Sequence, residues 1–272
     1  MNISIRDVHF GYDAAQTVLR GIAIEIHRGE RVALIGQNGS GKTTLVKHLN
    51  GLVRPTRGEV IVGDWNTRAH SVAQMARRVG LVFQNPEEQI FKNRVADEIA
   101  FGLANLGLTR DEIAQRVDAV LTRTALTACR DAHPYELLAS QRRWVALASI
   151  LALDTPILIL DEPTTGQDAA GLTRLGALVN ELTREGKTII AITHDMDWCA
   201  EHFDRVIVLK QGRVLVDGDP HQIFAQTDLL AETFIEPPQI TRLGMALGFS
   251  ETVLTVDEFL QMQKNVSTAS SQ

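Results

Sequence analysis

The segment Gly36-Gln37-Asn38-Gly39-Ser40-Gly41-Lys42-Thr43 limits the possible folds of this chain more than any other. It fits the spacing G-x-x-x-x-G-K-[ST], follows the nearly continuous apolar run at residues 31–35 and leads into a helical pattern over residues 43–52. A buried strand, a glycine-rich loop and a helix start, in that order, make a cradle for phosphate. The glycines let the backbone curl so that successive N–H groups face a polyphosphate, and the helix N-terminus adds partial positive charge. Lys42 supplies a cation for the β- and γ-phosphates, the Thr43 hydroxyl suits a Mg²⁺ ligand, and Thr44 continues the loop.

The rest of the chain repeats the strand–helix alternation. Two alternating patterns at residues 3–8 and 22–26 read as an antiparallel N-terminal layer. Residues 72–153 read as mainly helical, with Ile113, Val117, Val120 and Leu121 at helical spacing and Thr109 as the cap. Short buried strands are expected at residues 156–160 and 188–192, with a helix at 172–185 between them. Strands at 205–209 and 213–216 are joined through Lys210-Gln211-Gly212. Pro237-Pro238 breaks the chain before a short final module, and residues 264–272 read as a polar, disordered tail.

Two carboxylates, Asp161 and Glu162, end the apolar run at 157–160, at the strand edge where open α/β sheets place ligands. Asp161 suits Mg²⁺ binding through water, and Glu162 suits a general base that polarises the water attacking a γ-phosphate. His194 follows the strand at 188–192 and falls at the same edge. With 27 Lys and Arg against 33 Asp and Glu the formal charge is −6, so no global positive field attracts nucleic acid. Cys129 and Cys199 lack metal-ligand spacing and read as reduced, buried thiols. The first seven residues carry charge where a signal peptide has its apolar stretch. The longest apolar run falls far short of the roughly 20 residues of a spanning helix. The expectation is a cytoplasmic chain that meets a membrane only as a peripheral subunit.

Taken in order and spacing, Gly36 to Thr44, Gln84 after Val82-Phe83, Asp161-Glu162-Pro163, Asp168 and His194 resemble the nucleotide-binding subunits of ATP-binding-cassette (ABC) transporters over residues 3–235. The resemblance implies an α/β P-loop NTPase cassette: an antiparallel N-terminal β layer, a RecA-like parallel sheet core, a helical subdomain at about 85–153, and a C-terminal module and tail at 236–272. It implies ATP and Mg²⁺ as cofactors. By the same resemblance Tyr12 stacks on adenine, Gln84 touches Mg²⁺ and the transmembrane partner, Asp168 crosses to a second subunit, and His194 senses the γ-phosphate.

One motif departs from the family. Its signature, L-S-G-G-Q, falls on Leu137-Leu138-Ala139-Ser140-Gln141, so Leu138 removes a hydroxyl while Ala139 and Ser140 add Cβ atoms where glycine permits close phosphate approach. Because the family pairs one subunit's P-loop with the other's signature, the resemblance points to a heterodimer with one weakened site; a homodimer stays open. The segment Val82-Phe83-Gln84-Asn85-Pro86-Glu87-Glu88-Gln89-Ile90-Phe91, with Pro237-Pro238-Gln239-Ile240 and the module at 243–260, looks like the ATPase subunits of energy-coupling factor (ECF) transporters. That implies import of a vitamin or transition-metal ion, a second ATPase subunit, a transmembrane coupling protein and a membrane substrate-capture protein, with no nucleic acid. The ATPase of an ordinary ABC importer and a non-transport ABC ATPase are the alternatives.

Overall fold

The structure, a computed structural model, describes residues 1–13 and 16–269. Four strands form an antiparallel sheet in the order β2-β1-β4-β5: β1 (Ile3–Gly11), β2 (Thr17–Ile26), β4 (Arg57–Val62) and β5 (Trp65–Asn66). Six form a second sheet in the order β10-β9-β3-β8-β7-β6: β3 (Arg31–Ile35), β6 (Val79–Val82), β7 (Ile157–Asp161), β8 (Thr188–Ile192), β9 (Arg205–Lys210) and β10 (Arg213–Gly218). Within this second sheet β9, β3, β8, β7 and β6 run parallel, and β10 pairs antiparallel with β9. The helices are α1 (Lys42–Leu49), α2 (Val72–Met75), α3 (Val95–Ala104), α4 (Arg110–Arg123), α5 (Ala139–Leu151), α6 (Ala169–Arg184), α7 (Met196–His202), α8 (Pro220–Phe224), α9 (Thr227–Ala231), α10 (Gln239–Ala246) and α11 (Val256–Ala269).

The continuous apolar strands owe their composition to burial on both faces. Along β7, Ile157 and Ile159 enter the core shared with the antiparallel sheet and α1, while Leu158 and Leu160 enter the core shared with α3, α4 and α5. The same alternation sorts Val32 and Leu34 from Ala33 and Ile35 on β3, and Ile190 and Ile192 from Ile189 and Ala191 on β8. Each fully buried Leu or Ile contributes about 1.5–3 kcal/mol relative to exposure, so both faces hold the sheet. The N-terminal end of α4 follows expectation: Thr109 Oγ1 accepts from the Glu112 N–H, and Glu112 Oε2 accepts from the Thr109 N–H.

Several expectations are corrected. The span 72–153 is not all helical, because β6 lies inside it and completes the parallel sheet beside β7. Strands β4 and β5 add two members to the N-terminal layer, and β2 begins at Thr17 rather than near residue 22. Helix α1 spans Lys42–Leu49, shorter than residues 43–52. The expected disordered tail from residue 264 is instead helical through Ala269, as part of α11; residues 270–272 lie outside the described residues. Cys199 is buried, with burial pushing its thiol pKa up, but Cys129 is only half-buried. The C-terminal helices dock through a Gln239 N–H bond to Asp197 Oδ1 of α7 at 2.8 Å, and Phe249 packs on Phe259 with ring centroids 5.1 Å apart.

Two histidines are folded into apolar surroundings. His48 is 0% exposed, sits 4.8 Å from the Phe10 ring centroid and gives its Nδ1–H to the Thr44 carbonyl at 2.8 Å. Burial lowers its pKa below the usual 6.5, and burial followed by the Arg31 charge lowers that of His202. These two histidines therefore take up protons later in the folded chain than in the unfolded one as pH falls, so the stability they contribute is present above about pH 6.5 and lost below it. We expect acidification from pH 7.5 to 5 to lower the thermal midpoint of the wild type relative to that of His48→Gln, the opposing carboxyl of Glu162 being common to both. The effect is read as a difference in pH slope, whatever the variant's absolute stability; an identical slope would remove His48 as a source.

Candidate nucleotide site

Five parallel strands place their C-terminal ends on one edge of the sheet, and the candidate residues follow from that edge. Gly36 comes directly after β3, Gln84 two residues after β6, Asp161 and Glu162 at the end of β7, and His194 two residues after β8. The cleft they enclose is lined by Asn38, Gly39, Gly41, Lys42, Thr43, Thr44, Gln84, Asp161, Glu162 and His194. Ligand clefts of open α/β sheets lie at such strand ends.

The loop is held by its own backbone. Ser40 N–H donates to the Gln37 carbonyl at 3.0 Å, and Gly212 N–H donates to the Ser40 carbonyl at 3.0 Å. Gly36 has φ +145°, and a Cβ there would lie 2.2 Å from the Leu209 carbonyl oxygen, so only glycine fits. Lys42 is buried and its ammonium donates to the Gly36 carbonyl at 2.6 Å and the Gln37 carbonyl at 3.1 Å. Burial lowers the Lys42 pKa, against the opposing pull of Glu162 and Asp161. The cation is thus already aimed along the loop whose N–H groups would face phosphate.

Thr43 Oγ1 donates to Asp161 Oδ2 at 3.1 Å, while Asp161 Oδ1 is buried and has no hydrogen-bond partner among the described residues. Burial raises the Asp161 pKa, with the Thr43 hydrogen bond and Lys42 opposing. Glu162 is also buried, and its backbone is held at φ +51° by its N–H bond to the Ile192 carbonyl at 2.9 Å. Its carboxyl is pushed up to about 7, by burial first and the neighbouring Asp161 second. His194 Nε2 lies 3.1 Å from Glu162 Oε1, and burial and Lys42 lower the imidazole pKa. A carboxyl poised near neutrality beside an imidazole, an ammonium and a hydroxyl–carboxylate pair can activate water next to a bound phosphate.

Outside this cluster the expected residues divide. Tyr12 is exposed, its hydroxyl 3.3 Å from Thr44 Oγ1 and its ring edge-on to Phe10, so it stands beside the loop. Asp168 caps α6 by accepting from the Gly171 N–H at 2.7 Å and is absent from the cleft lining. Leu138 is 71% exposed, and Ala139, Ser140 and Gln141 form the first turn of α5, also outside the cleft. Gln141 Oε1 accepts from the Leu138 N–H at 3.2 Å. Val18 of β2 and Thr165 line the cleft without having been expected. Nothing in the local pattern of Val18 marks it, whereas Thr165 sits between Glu162 and Asp168 and follows from their spacing.

Comparison with known proteins agrees with this geometry. The ABC transporter family model matches residues 19–165. A putative ABC transporter ATP-binding protein of Pyrococcus furiosus is 40% identical over 259 residues, covering 95% of this chain and 98% of the relative. The energy-coupling factor transporter ATP-binding protein EcfA of Methanocaldococcus jannaschii is 36% identical, covering 92% of this chain and 91% of the relative. Two Methanosarcina relatives are longer, and the chain spans only 40% and 42% of their length. Among solved structures, cbiO1 from Clostridium perfringens, part of the ABC transporter complex cbiONQ, matches with a TM-score of 0.76 at 33% identity, covering 90% of this chain and 98% of that one.

The fold and the strand-end cleft define a P-loop ATPase cassette. This chain belongs to the ABC transporter family of ATP-binding proteins. We expect Gly36→Ala to lose ATP affinity by at least tenfold, since one Cβ drives the loop off Leu209. Equilibrium ATP binding on folded protein checks this, and unchanged affinity would show that the loop relaxes without cost.

Proposed function

We propose that the chain is the ATPase subunit of an ECF-type importer of a vitamin or a transition-metal ion, working at the cytoplasmic face of the cell membrane. The observation that carries this is similarity to EcfA over nearly the full length of both proteins. The fold match to cbiO1 supports it. Among the described residues no helix is long and apolar enough to cross a membrane, which suits a peripheral motor. The partners on this reading are a second ATPase subunit, a transmembrane coupling protein and a membrane substrate-capture protein. Residues 1–235 form the ATPase domain, with the helical subdomain at about 85–153, and 236–272 form the C-terminal module.

ATP binds with its phosphates against the Gly36–Thr44 backbone and Lys42, and its adenine against Tyr12. The orphaned, buried Asp161 Oδ1 beside Thr43 fits Mg²⁺, which supplies positive charge to the phosphates when held by Thr43, Gln84 and, through water, Asp161. Glu162 takes a proton from the attacking water, and a carboxyl near 7 accepts that proton at little cost around neutral pH. His194, 3.1 Å away, orients the carboxylate and meets the γ-phosphate. Asp168 and residues 138–141 face outward, where they serve a second subunit.

The altered signature makes the dimer asymmetric. The P-loop of this chain is complete, while Leu138, Ala139 and Ser140 offer the partner's nucleotide a poorer surface. A heterodimer whose other member carries an intact signature fits best.

We expect Lys42→Ala to abolish nucleotide binding or turnover. Glu162→Gln should keep ATP bound in a closed dimer with turnover down by at least a hundredfold, because the base is lost and the binding loop is intact. Unaltered turnover in Glu162→Gln removes that residue as the base. Mass spectrometry of the complex extracted from membranes in detergent should find integral membrane proteins and a second ATPase. A soluble homodimer alone, with full cooperative ATPase activity, would overturn both the transport role and the asymmetry.

A further inference from the structure

Three consecutive residues of α5, one turn beyond its signature end, grip the two loops that carry Gln84 and Glu162. Arg142 Nη1 pairs with Glu87 Oε1 at 3.3 Å, and Arg143 Nη1 donates to the Gln84 carbonyl at 3.0 Å. Trp144, 2% exposed, donates its indole N–H to Gln167 Oε1 at 3.1 Å, and the Arg174 guanidinium covers its ring at 4.1 Å from the centroid. The loop that receives this bond is tied back to Glu162. Gln167 N–H donates to the Thr164 carbonyl at 3.1 Å, and Thr165 N–H donates to the Glu162 carbonyl at 3.3 Å. A short loop bonded at both ends has few ways to move except with the group that holds it.

A buried indole N–H needs an acceptor, and among the described residues Gln167 is the acceptor it is given. The bond therefore has a structural use, yet its placement does more than satisfy Trp144. The body of α5 is fixed in the helical core through Val145, Ala146, Leu147 and Ala148, so the helix moves as a unit. Its N-terminal end is Leu138 to Gln141, exposed at Leu138 and Ala139 and half-buried at Ser140 and Gln141. A displacement at that end reaches the Glu162 loop through Trp144 and the Gln84 loop through Arg143.

We propose that Trp144, acting through Gln167, is a positioning residue for ATP hydrolysis: it sets the loop after Glu162 according to where α5 lies. This rests on the assignment of Glu162 as the base. Trp144→Phe deletes the donor and keeps a smaller aromatic ring against Arg174, leaving a cavity where the larger indole packed. Gln167→Met keeps the side chain's length while deleting the acceptor, and Gln167→Glu restores an acceptor.

The test uses the full chain in its membrane complex, reading kcat, KM for ATP, ATP affinity and melting temperature. A hydrogen bond worth about 0.5–1.5 kcal/mol corresponds to roughly a two- to twelvefold change in rate. We expect Trp144→Phe and Gln167→Met each to lower kcat within that range with KM and ATP affinity unchanged, and with melting temperature unchanged in Gln167→Met. The double variant should be no slower than either single one, and Gln167→Glu should retain turnover. Unchanged kcat in both single variants, multiplicative effects in the double variant, or a kcat loss in Gln167→Met matched by a fall in its melting temperature would overturn the coupling. Wild-type complex without turnover would overturn the ATPase assignment and the coupling with it, whereas active wild type with unaffected variants overturns the coupling alone.

Discussion

The hydrogen bond from Thr43 Oγ1 to Asp161 Oδ2 joins segments 118 residues apart, and the site exists because the sheet brings them together. Strand β8 lies between β3 and β7 and pairs with both in parallel, so the three strands end level. Parallel pairing demands crossover connections, and those crossovers are the helices that bury the two faces of the sheet. If β7 slipped by one residue, Asp161 would turn to the opposite face and Leu160 would take its place toward the loop. The alternation of Ile157 and Ile159 against Leu158 and Leu160 between two separate cores resists that slip, because every one of those side chains would change cores. Packing far from the cleft thus fixes the geometry within it.

Burying Lys42, Asp161 and Glu162 together is costly for isolated charges and tolerable only because they face one another. The structure shows how the cost is shared: burial lowers the pKa of the lysine and raises that of each carboxyl. Glu162, pushed up to about 7, is held between its charged and neutral forms near neutral pH, where a carboxyl in water would be fully ionised. Glu162 carries the largest consequence, since its neighbour Asp161 adds like-charge repulsion to burial. Its positive φ is a further strain, stabilised by the backbone bond to Ile192. The chemistry proposed for Glu162 therefore depends on the same parallel sheet that aligns Thr43 with Asp161.

Legibility in the sequence followed the range of the interactions. The P-loop, the Asp161–Glu162 pair and His194 were readable because strand, loop and helix signals are local. Strands β4 and β6 were not. β6 has only four residues, includes Gly80 and follows a helical stretch, and it becomes a strand by pairing with β7, whose residues come 78 positions later (Val79 with Ile157). β4 begins Arg57-Gly58-Glu59, a polar start that reads as a turn until β1 supplies its partner. The helical end of α11 was hidden for the opposite reason: Gln261, Gln263, Lys264 and Asn265 are polar and suggest a tail, although the helix begins on the apolar Phe259 packed against Phe249. Val18 and the Trp144–Gln167 bond depend on distant contacts that no local spacing encodes.

The departure at Leu138-Ala139-Ser140 acquires meaning from where α5 points. Its first turn, exposed at Leu138 and Ala139, is absent from the lining of the chain's own cleft, so the loss of a hydroxyl and of glycine freedom there leaves the P-loop, Asp161 and Glu162 untouched. The next turn is the reverse case: Arg143 and Trp144 face inward and hold the Gln84 and Gln167 loops. A helix that changes at its outward end and stays bonded at its inward end can relax the demand on one nucleotide without loosening the other. On the heterodimer proposed above, the altered end weakens the site completed by the partner's P-loop, while the site on this chain's own P-loop keeps every contact that α5 makes to it. Asymmetry between two sites then needs no change in the catalytic groups of this chain, only in the three residues that it offers to its neighbour.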